Sequence, residues 1–252
     1  MTTLTRNGTN INYQVDGHGP AILLTHGFGA DHHMWAPQVE ALRKSYTVIT
    51  WDMRGHGQTD SPKEQKAYSE METVMDMAAL LDVSGAGSAI IGGMSLGGYM
   101  SLAFHHKFPE RVESLLLIDT GPGFKNDKAR NDWNEIATAR GDDIEDRGMG
   151  TFQARTEAAA ANHKDMHGVA MAARGMLVQN DGTVIYSLPK ISVPTFIAVG
   201  ANDKPYLVPS DYMASKIAHS VKITIPDAGH AANLDQPEFF NKHLLAFLKT
   251  VV

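Results

Sequence analysis

The sequence predicts an α/β protein with a mostly parallel sheet flanked by helices and a helical segment inserted into it. Short apolar runs typical of buried strands alternate with helix-like segments up to about residue 120. From 122 to 188 the apolar spacing is helical and no strand-like run occurs. Strand-like runs then return before a last amphipathic helix. We therefore expect an α/β core formed by residues 1–121 and 189–252, and a small helical insertion at 122–188.

The core is predicted to begin with a hairpin and to continue with alternating strands and helices. Asn7-Gly8 separates two segments of alternating polarity, 3–6 and 10–15, and is typical of a two-residue hairpin turn. The later strands are predicted at 21–25, 46–51, 89–91, 114–118, 194–200 and 221–225, and the helices at 34–44, 69–82, from Gly97 to about 107, and at 237–249. Such alternation favours parallel strands with helices on both faces of the sheet.

Two segments of the insertion carry specific expectations. Residues 166–177 have an apolar stripe at helical spacing. We expect this Met-containing stripe first to pack against the core and second to line a substrate pocket. The acidic run at 142–146 is predicted to be a solvated loop.

The composition excludes several classes of function. A net charge of −6 offers no basic surface for a phosphate backbone, so we expect no nucleic-acid partner. The chain has no cysteine, which removes disulfides, thiolate metal sites and a cysteine nucleophile. No apolar run approaches the ~20 residues that span a bilayer, and the N-terminus lacks the pattern of a signal peptide. We therefore expect a cytoplasmic protein without a membrane partner.

The most informative motif is Gly93-Met94-Ser95-Leu96-Gly97, between a predicted strand and a predicted helix. A G-x-S-x-G in this setting forms a sharp turn that exposes the serine at the top of a sheet. The two glycines suit such a turn because side chains there would meet neighbouring backbone. The motif predicts Ser95 as a nucleophile.

Two polar residues follow later strands at the same predicted edge of the sheet. Asp203 follows one strand and His230 follows the next. Carboxyl ends of parallel strands lie together, so both residues are expected near Ser95. A serine needs a base to take its proton, and the base needs a carboxylate to orient it. The sequence thus predicts a triad of Ser95, Asp203 and His230, with Asp119 as an alternative acid because it also follows a strand.

An acyl-transfer site also needs two donors for the developing oxyanion. Leu96 N–H lies at the start of the helix after Ser95, where the amides of a helix point outwards. The loop His26-Gly27-Phe28-Gly29 follows the first predicted parallel strand. We therefore expect the amides of Phe28 and Leu96 to be the oxyanion donors, with the Phe28 side chain near the acyl group.

In combination, these motifs resemble the α/β-hydrolase fold family, in its group of carboxylesterases, 3-oxoadipate enol-lactonases and cofactor-free haloperoxidases. The matching segments cover most of the chain outside the insertion: His26–Gly29, Asp52–Gly57 with Ser61-Pro62, Gly93–Gly98, Phe108–Val112, Gly200 with Asp203, and Gly229-His230. The resemblance implies the same triad and oxyanion donors. It also implies that 122–188 forms a cap over the site and that no cofactor is needed.

The remaining histidines are expected to have structural roles. His26 and His56 lie in loops that the family uses to shape the site. The adjacent pairs His32-His33 and His105-His106 could suggest a metal, but neighbouring side chains are expected to point in different directions. We therefore predict no metal site.

These observations favour a serine hydrolase that cleaves a small carboxylic ester or lactone through an acyl-serine. Perhydrolysis of the haloperoxidase type uses the same triad and is an alternative. A ligand receptor that retains the triad is another, and steady turnover would distinguish the two classes. Met94 argues against C–C hydrolases, which carry Asn before the serine, and Ser95 argues against the Asp-nucleophile enzymes of this fold. The sequence leaves the substrate and the oligomeric state open.

Overall fold

The computed structural model describes residues 2–152 and 154–251. The predicted ranges of core and insertion therefore include three residues outside the described part, which are Met1, Gln153 and Val252.

One eight-stranded sheet forms the centre of the protein, in the order β1-β2-β4-β3-β5-β6-β7-β8. Strands β1 and β2 form an antiparallel hairpin, and β2 also pairs antiparallel with β4. From β4 to β8 in this order, every neighbouring pair of strands is parallel. The strands are β1 Thr2–Arg6, β2 Thr9–Gly17, β3 Ala21–Thr25, β4 Thr47–Trp51, β5 Ala89–Met94, β6 Val112–Ile118, β7 Thr195–Gly200 and β8 Ser220–Ile225. The prediction of a mostly parallel α/β sheet is confirmed.

Helices cover both faces of this sheet. They are α1 Ala36–Leu42, α2 Glu70–Val83, α3 Leu96–Lys107, α4 Asp127–Arg147, α5 Met166–Met176, α6 Thr183–Ser187, α7 Lys204–Lys216, α8 Ala232–Asp235 and α9 Pro237–Leu248. None of the helices in the described part of the chain is long and apolar enough to cross a membrane.

Two apolar clusters, one on each side of the sheet, explain why the central strands are apolar throughout. Leu23 of β3 packs into the cluster that contains α2 and α3, whereas Ile22 and Leu24 pack into the cluster that contains α1 and α9. Successive strand residues point to opposite faces, so a strand buried on both sides needs a continuous apolar run.

The insertion lies between β6 and β7, and its described residues form helices without a strand. Helix α5 packs along α4 and also sits directly on a loop of the core. A Cβ at Gly168 would lie 2.1 Å from Ser61 Oγ, and a Cβ at Gly175 would lie 1.9 Å from the carbonyl oxygen of Tyr68. These two glycines let the helix backbone approach the core closely.

The acidic run at 142–146 belongs to α4, so the prediction of a solvated loop was wrong. Arg174 of α5 forms ion pairs with Asp142 at 2.6 Å and with Glu145 at 2.8 Å. Asp143 pairs with Arg147 one turn later, which is favourable on a helix surface. The run therefore joins two helices of the insertion.

Candidate active site

The turn between β5 and α3 holds Ser95 in a backbone conformation that residues with a side chain rarely adopt, with φ 54° and ψ −115°. Ser95 N donates to Ile118 O at 2.9 Å, and Thr120 Oγ1 donates to Ser95 O at 2.6 Å. A Cβ at Gly93 would lie 2.2 Å from the carbonyl carbon of Gly97. The neighbouring chain thus keeps the turn sharp, and Ser95 Oγ faces the cavity.

The structure brings together Ser95, His230 and Asp203 in one chain of hydrogen bonds. His230 Nε2 lies 2.9 Å from Ser95 Oγ, and His230 Nδ1 lies 2.8 Å from Asp203 Oδ2. Asp203 is buried, whereas the His230 side chain is 28% exposed. Ser95 follows β5, whereas Asp203 and His230 follow the neighbouring strands β7 and β8, so the ends of three strands at one edge of the sheet build this arrangement.

The alternative acid, Asp119, has a different set of partners. Its carboxylate accepts the amides of Gly200 and Ala232, each at 2.8 Å. Burial, together with the charges of Asp203 and Asp235, raises the pKa of Asp119 well above its usual value against the effect of these two bonds. Asp119 therefore ties together the loops that carry Asp203 and His230, while Asp203 is the residue bonded to the imidazole.

Phe28 and Leu96, whose main-chain amides are the predicted oxyanion donors, line the same cavity as Ser95. Neither amide donates to an acceptor among residues 2–152 and 154–251. Leu96 N is the first amide of α3, and a helix leaves its first amides without partners inside the helix. Two main-chain donors are thus available next to the serine.

Comparison with known proteins agrees with this architecture. The family model described as alpha/beta hydrolase fold matches residues 20–138. The chain is 27% identical to 3-oxoadipate enol-lactonase 1 of Acinetobacter baylyi, over 98% of this chain and 96% of the relative. The solved enol-lactonase of Burkholderia xenovorans LB400 has a TM-score of 0.79 at 25% identity, covering 98% of this chain and 100% of its own. This chain has the α/β-hydrolase fold. A thermophilic esterase from Thermogutta terrifontis is also similar, with a TM-score of 0.80 and 29% identity, covering 99% of this chain and 97% of its own.

Buried histidines shape the loops around the site. His26 Nε2 accepts the amide of Met53 at 3.0 Å, so its Nδ1 carries the proton and donates to Gly27 O at 2.7 Å. His56 packs edge-on against Phe28, with ring centroids 5.5 Å apart. Burial lowers the pKa of both imidazoles. His26 and His56 are therefore neutral where they contact the loop that carries Phe28.

The insertion reaches the same loops through His163. Its Nδ1 accepts the amide of Gly57 at 2.8 Å, and its Nε2 lies 3.0 Å from the carbonyl oxygen of Gly29. Burial lowers the pKa of His163. A neutral imidazole thus joins the insertion to the loop that carries the Phe28 amide.

The expectation that His32 and His33 point apart was wrong, because their rings lie 4.0 Å apart in a short 3₁₀ turn. With Asp31 they form a group whose ligand atoms lie within 4.8 Å of one another. Asp31 Oδ1, however, accepts His33 N–H, and His32 Nδ1 bonds Asp52 at 2.7 Å. Asp31 Oδ1 and His32 Nδ1 are thus already engaged in hydrogen bonds that help to close the turn.

A cavity of about 700 Å³ lies above Ser95 and is lined by both the core and the insertion. Part of its lining is aromatic or aliphatic, from Tyr99, Phe124, Trp133, Met176 and Leu177.

Two arginines of the insertion line another part of the cavity. Arg140 lies over the Phe28 ring at 6.0 Å and forms no hydrogen bond or ion pair with the part of the chain that the structure describes. Arg155 lies 3.5 Å from Glu157. Burial and the charge of Arg155 lower the pKa of Arg140, because both disfavour the charged guanidinium. The cavity lining thus contains two arginines, Arg140 and Arg155, besides the carboxylates of Glu157, Asp203 and Asp235.

Among the cavity residues that sequence reasoning missed are Arg140, Arg155 and Tyr206. None of them belongs to a motif, and the two arginines lie in the insertion, whose helices carry no catalytic pattern. Tyr206 alone had an available signal, because it follows Asp203 by three residues at the start of α7.

Proposed function

We propose that this protein is a serine hydrolase that cleaves small carboxylic esters or lactones through an acyl-serine intermediate. The observation that carries the proposal is the hydrogen-bonded chain Asp203–His230–Ser95 beside two amides without acceptors in the described structure. The similarity to enol-lactonases and to an esterase over nearly the whole chain supports the same reaction class.

In the proposed mechanism, His230 Nε2 takes the proton of Ser95 Oγ as that oxygen attacks the substrate carbonyl. The amides of Phe28 and Leu96 donate to the oxyanion of the tetrahedral intermediate. His230 returns its proton to the alcohol oxygen as the C–O bond breaks and the acyl-serine forms. Asp203 holds Nδ1–H of the imidazole and stabilises its charged form.

The second half of the reaction uses the same groups with water. His230 Nε2 takes a proton from water as the water oxygen attacks the acyl carbon. The second tetrahedral intermediate collapses, the bond to Ser95 Oγ breaks, and the proton on His230 passes to Oγ. The acid leaves and the free serine is restored, without a cofactor.

We further propose that residues 122–188 act as a cap that selects the substrate, and that the preferred substrate carries a carboxylate besides the bond that is cleaved. A partly buried guanidinium without an ion pair in the described structure loses part of its hydration, so an anionic group of the substrate would stabilise Arg140. The aromatic and aliphatic lining of the cavity suits the remaining, apolar part of such a molecule.

The test is a series of p-nitrophenyl esters of increasing acyl length beside a panel of lactones, with Ser95→Ala as the blank. We expect turnover by the wild type and a loss of at least about 10⁴-fold in kcat for Ser95→Ala. Circular dichroism and melting temperature check that the variant is folded. Wild-type rates in folded Ser95→Ala protein would refute the proposed nucleophile.

The charge preference has a separate test with Arg140→Gln. Monoethyl glutarate and the neutral ester ethyl pentanoate present similar chain lengths with and without a carboxylate. A hydrogen bond to a charged group contributes about 1.5–3 kcal/mol, so kcat/KM for the anionic ester should fall about 10–100-fold. The value for the neutral ester should change less than about threefold. Equal losses for both esters would contradict the preference and leave the proposed reaction class intact.

A further inference from the structure

A short segment of the insertion lies across two loops of the core. Its Asn162 N donates to Asp31 Oδ2 at 2.9 Å, in the loop that follows β3. Two residues later, Lys164 N donates to Gly57 O at 3.0 Å, in the loop that follows β4. The side chain of His163 lies between these two attachments, so its position is fixed by the backbone on either side of it.

The two ring nitrogens of His163 bind one loop each. Gly57 N donates to His163 Nδ1 at 2.8 Å, so Nδ1 carries no proton. The proton of the neutral ring is therefore on Nε2, which donates to Gly29 O at 3.0 Å. The imidazole thus acts as a bridge whose acceptor and donor are both defined by the structure.

This bridge ends beside Phe28, whose amide is the proposed oxyanion donor. On the side that precedes Phe28, the core holds the loop itself, because His26 donates to Gly27 O at 2.7 Å. On the side that follows Phe28, the bond to Gly29 O comes from His163 of the insertion. The main chain on both sides of Phe28 is therefore held, one side by the core and the other by the insertion.

Aromatic contacts extend from the same histidine to the same loop. The His163 ring lies edge-on against His56 with centroids 5.6 Å apart, and His56 lies edge-on against Phe28 with centroids 5.5 Å apart. Phe152 of the insertion lies so close to Gly29 that a Cβ there would be 2.3 Å from its ring. The insertion thus contacts the loop through packing as well as through a hydrogen bond.

The position of an oxyanion donor matters because the bond forms only over a short range. A donor must lie about 2.7–3.1 Å from the place that the oxyanion will occupy. A displacement of about 1 Å in an active site can cost about 10²-fold in rate. Leu96 N belongs to helix α3, whereas Phe28 N belongs to a loop. The Phe28 donor therefore depends more on the groups that support its loop.

Resting on the serine hydrolase proposed above, we propose that His163 is a positioning residue, which holds the Phe28 amide in place for the oxyanion through its bond to Gly29 O. His163 lies outside the lining of the cavity, so it acts on the loop and not on the substrate. The insertion then has a role besides selecting the substrate, because the oxyanion site is complete only while this segment is bound to the core.

Two variants separate the two bonds of the imidazole. Asparagine places Oδ1 near the position of Nδ1, so His163→Asn keeps an acceptor for Gly57 N–H and loses the donor to Gly29 O. Glutamine places an amide N–H near the position of Nε2, so His163→Gln keeps the donor and loses the acceptor. We expect kcat/KM for phenyl acetate to fall at least about tenfold in His163→Asn and to stay within about threefold of the wild type in His163→Gln.

A thionoester measures whether the loss arises at the oxyanion. O-phenyl thionoacetate has the same leaving group as phenyl acetate, but its sulfur accepts hydrogen bonds more weakly than oxygen does, so it gains less from the two amides. In His163→Asn its kcat/KM should therefore fall less than about threefold while that of the oxygen ester falls at least about tenfold. A role in folding alone would slow both esters equally.

The matched control is His167→Asn. His167 belongs to the same insertion and bonds Glu145 at 3.0 Å, but its side chain is 59% exposed and contacts neither core loop. This variant should keep the wild-type ratio of the two esters. Circular dichroism at the assay temperature checks that each variant is folded.

Equal losses for the two esters in His163→Asn, unchanged rates in that variant, or a greater loss in His163→Gln would overturn the positioning role. Any of these results, obtained while wild-type turnover still depends on Ser95, leaves the proposed function intact. Absence of Ser95-dependent turnover in the wild type would instead refute the proposed function itself.

Discussion

The strained backbone of Ser95 should cost stability, and glycine at this position should relieve that cost. With φ 54° and ψ −115°, Ser95 lies outside the regions favoured by residues with a Cβ. Such a conformation costs about 1–3 kcal/mol in other proteins and persists only where the surroundings impose it. Here the bond from Ser95 N to Ile118 O and the close contact of Gly93 with Gly97 impose it.

The comparison of Ser95→Gly with Ser95→Ala isolates this backbone term. Both variants lose Oγ and its contact with His230, but only alanine keeps a Cβ in the strained conformation. Glycine loses about 0.5–1 kcal/mol through the greater freedom of the unfolded chain. Subtracting this from the relief of strain leaves Ser95→Gly about 1 kcal/mol more stable than Ser95→Ala, or about 2–4 °C in melting temperature for a domain of this size.

Equilibrium unfolding in urea and thermal melting of the two variants provide the assay. Both variants lack Oγ and should be inactive. A difference in stability between them therefore reports on the Cβ and not on the loss of the contact with His230. A Ser95→Gly protein that melts at or below the temperature of Ser95→Ala would refute the assignment of strain to this turn.

Three further predictions concern the glycine turn and two buried titratable groups. Gly97→Ala should remove most activity and lower the melting temperature, because its Cβ would lie 2.0 Å from Thr25 O and displace the start of α3. Asp119 has a raised pKa, so the folded protein binds its proton more tightly than the unfolded chain, and the resulting stability is lost as pH rises from about 4 through the folded pKa. The melting temperature of the wild type should therefore fall relative to that of Asp119→Asn as pH rises, because asparagine does not titrate. His163 has a lowered pKa, so stability is lost as pH falls from about 6.5 towards the folded pKa, and His163→Asn should lessen this acid slope by up to about 1.4 kcal/mol per pH unit.

Matched controls accompany these three predictions. Gly87→Ala serves for the glycine turn, because a Cβ there meets no atom within 4 Å. Full activity in Gly97→Ala would contradict the close approach of α3 to β3. For the two titratable groups, melting curves between pH 4 and 8 are the measurement. Parallel curves for wild type and variant would show that Asp119 or His163 titrates alike in the folded and unfolded chain.

The fold and the centre of the candidate site could be predicted because their signals are local. A glycine is required two residues before and after Ser95 by the sterics of one turn, and the alternation of apolar runs with helical segments reports which strands are buried on both faces. Asp203 and His230 could be placed near Ser95 because each follows a strand, and parallel strands end at the same edge of the sheet. The prediction of the α/β-hydrolase fold is confirmed, while the catalytic roles of these residues stay predictions.

The partners of the buried carboxylates could be decided only by the tertiary structure. Asp119 and Asp203 each follow a strand of the same sheet, and no local pattern distinguishes them. In the folded chain Asp119 is surrounded by the amides of two loops, whereas Asp203 faces the imidazole of His230. Distances of this kind depend on how loops far apart in the chain pack together.

By itself, the sequence determined the sheet, the sharp turn at Ser95 and the strand ends that carry its partners, since each depends on neighbouring residues along the chain. Only the tertiary structure decided what surrounds them. Helix α5 packs closely on the core at Gly168 and Gly175. Arg140 of the insertion lies over the Phe28 ring, and Tyr206 at the start of α7 lies against the His230 ring. These contacts join segments that are far apart in the sequence. They arise from tertiary packing, so no local sequence pattern predicts them.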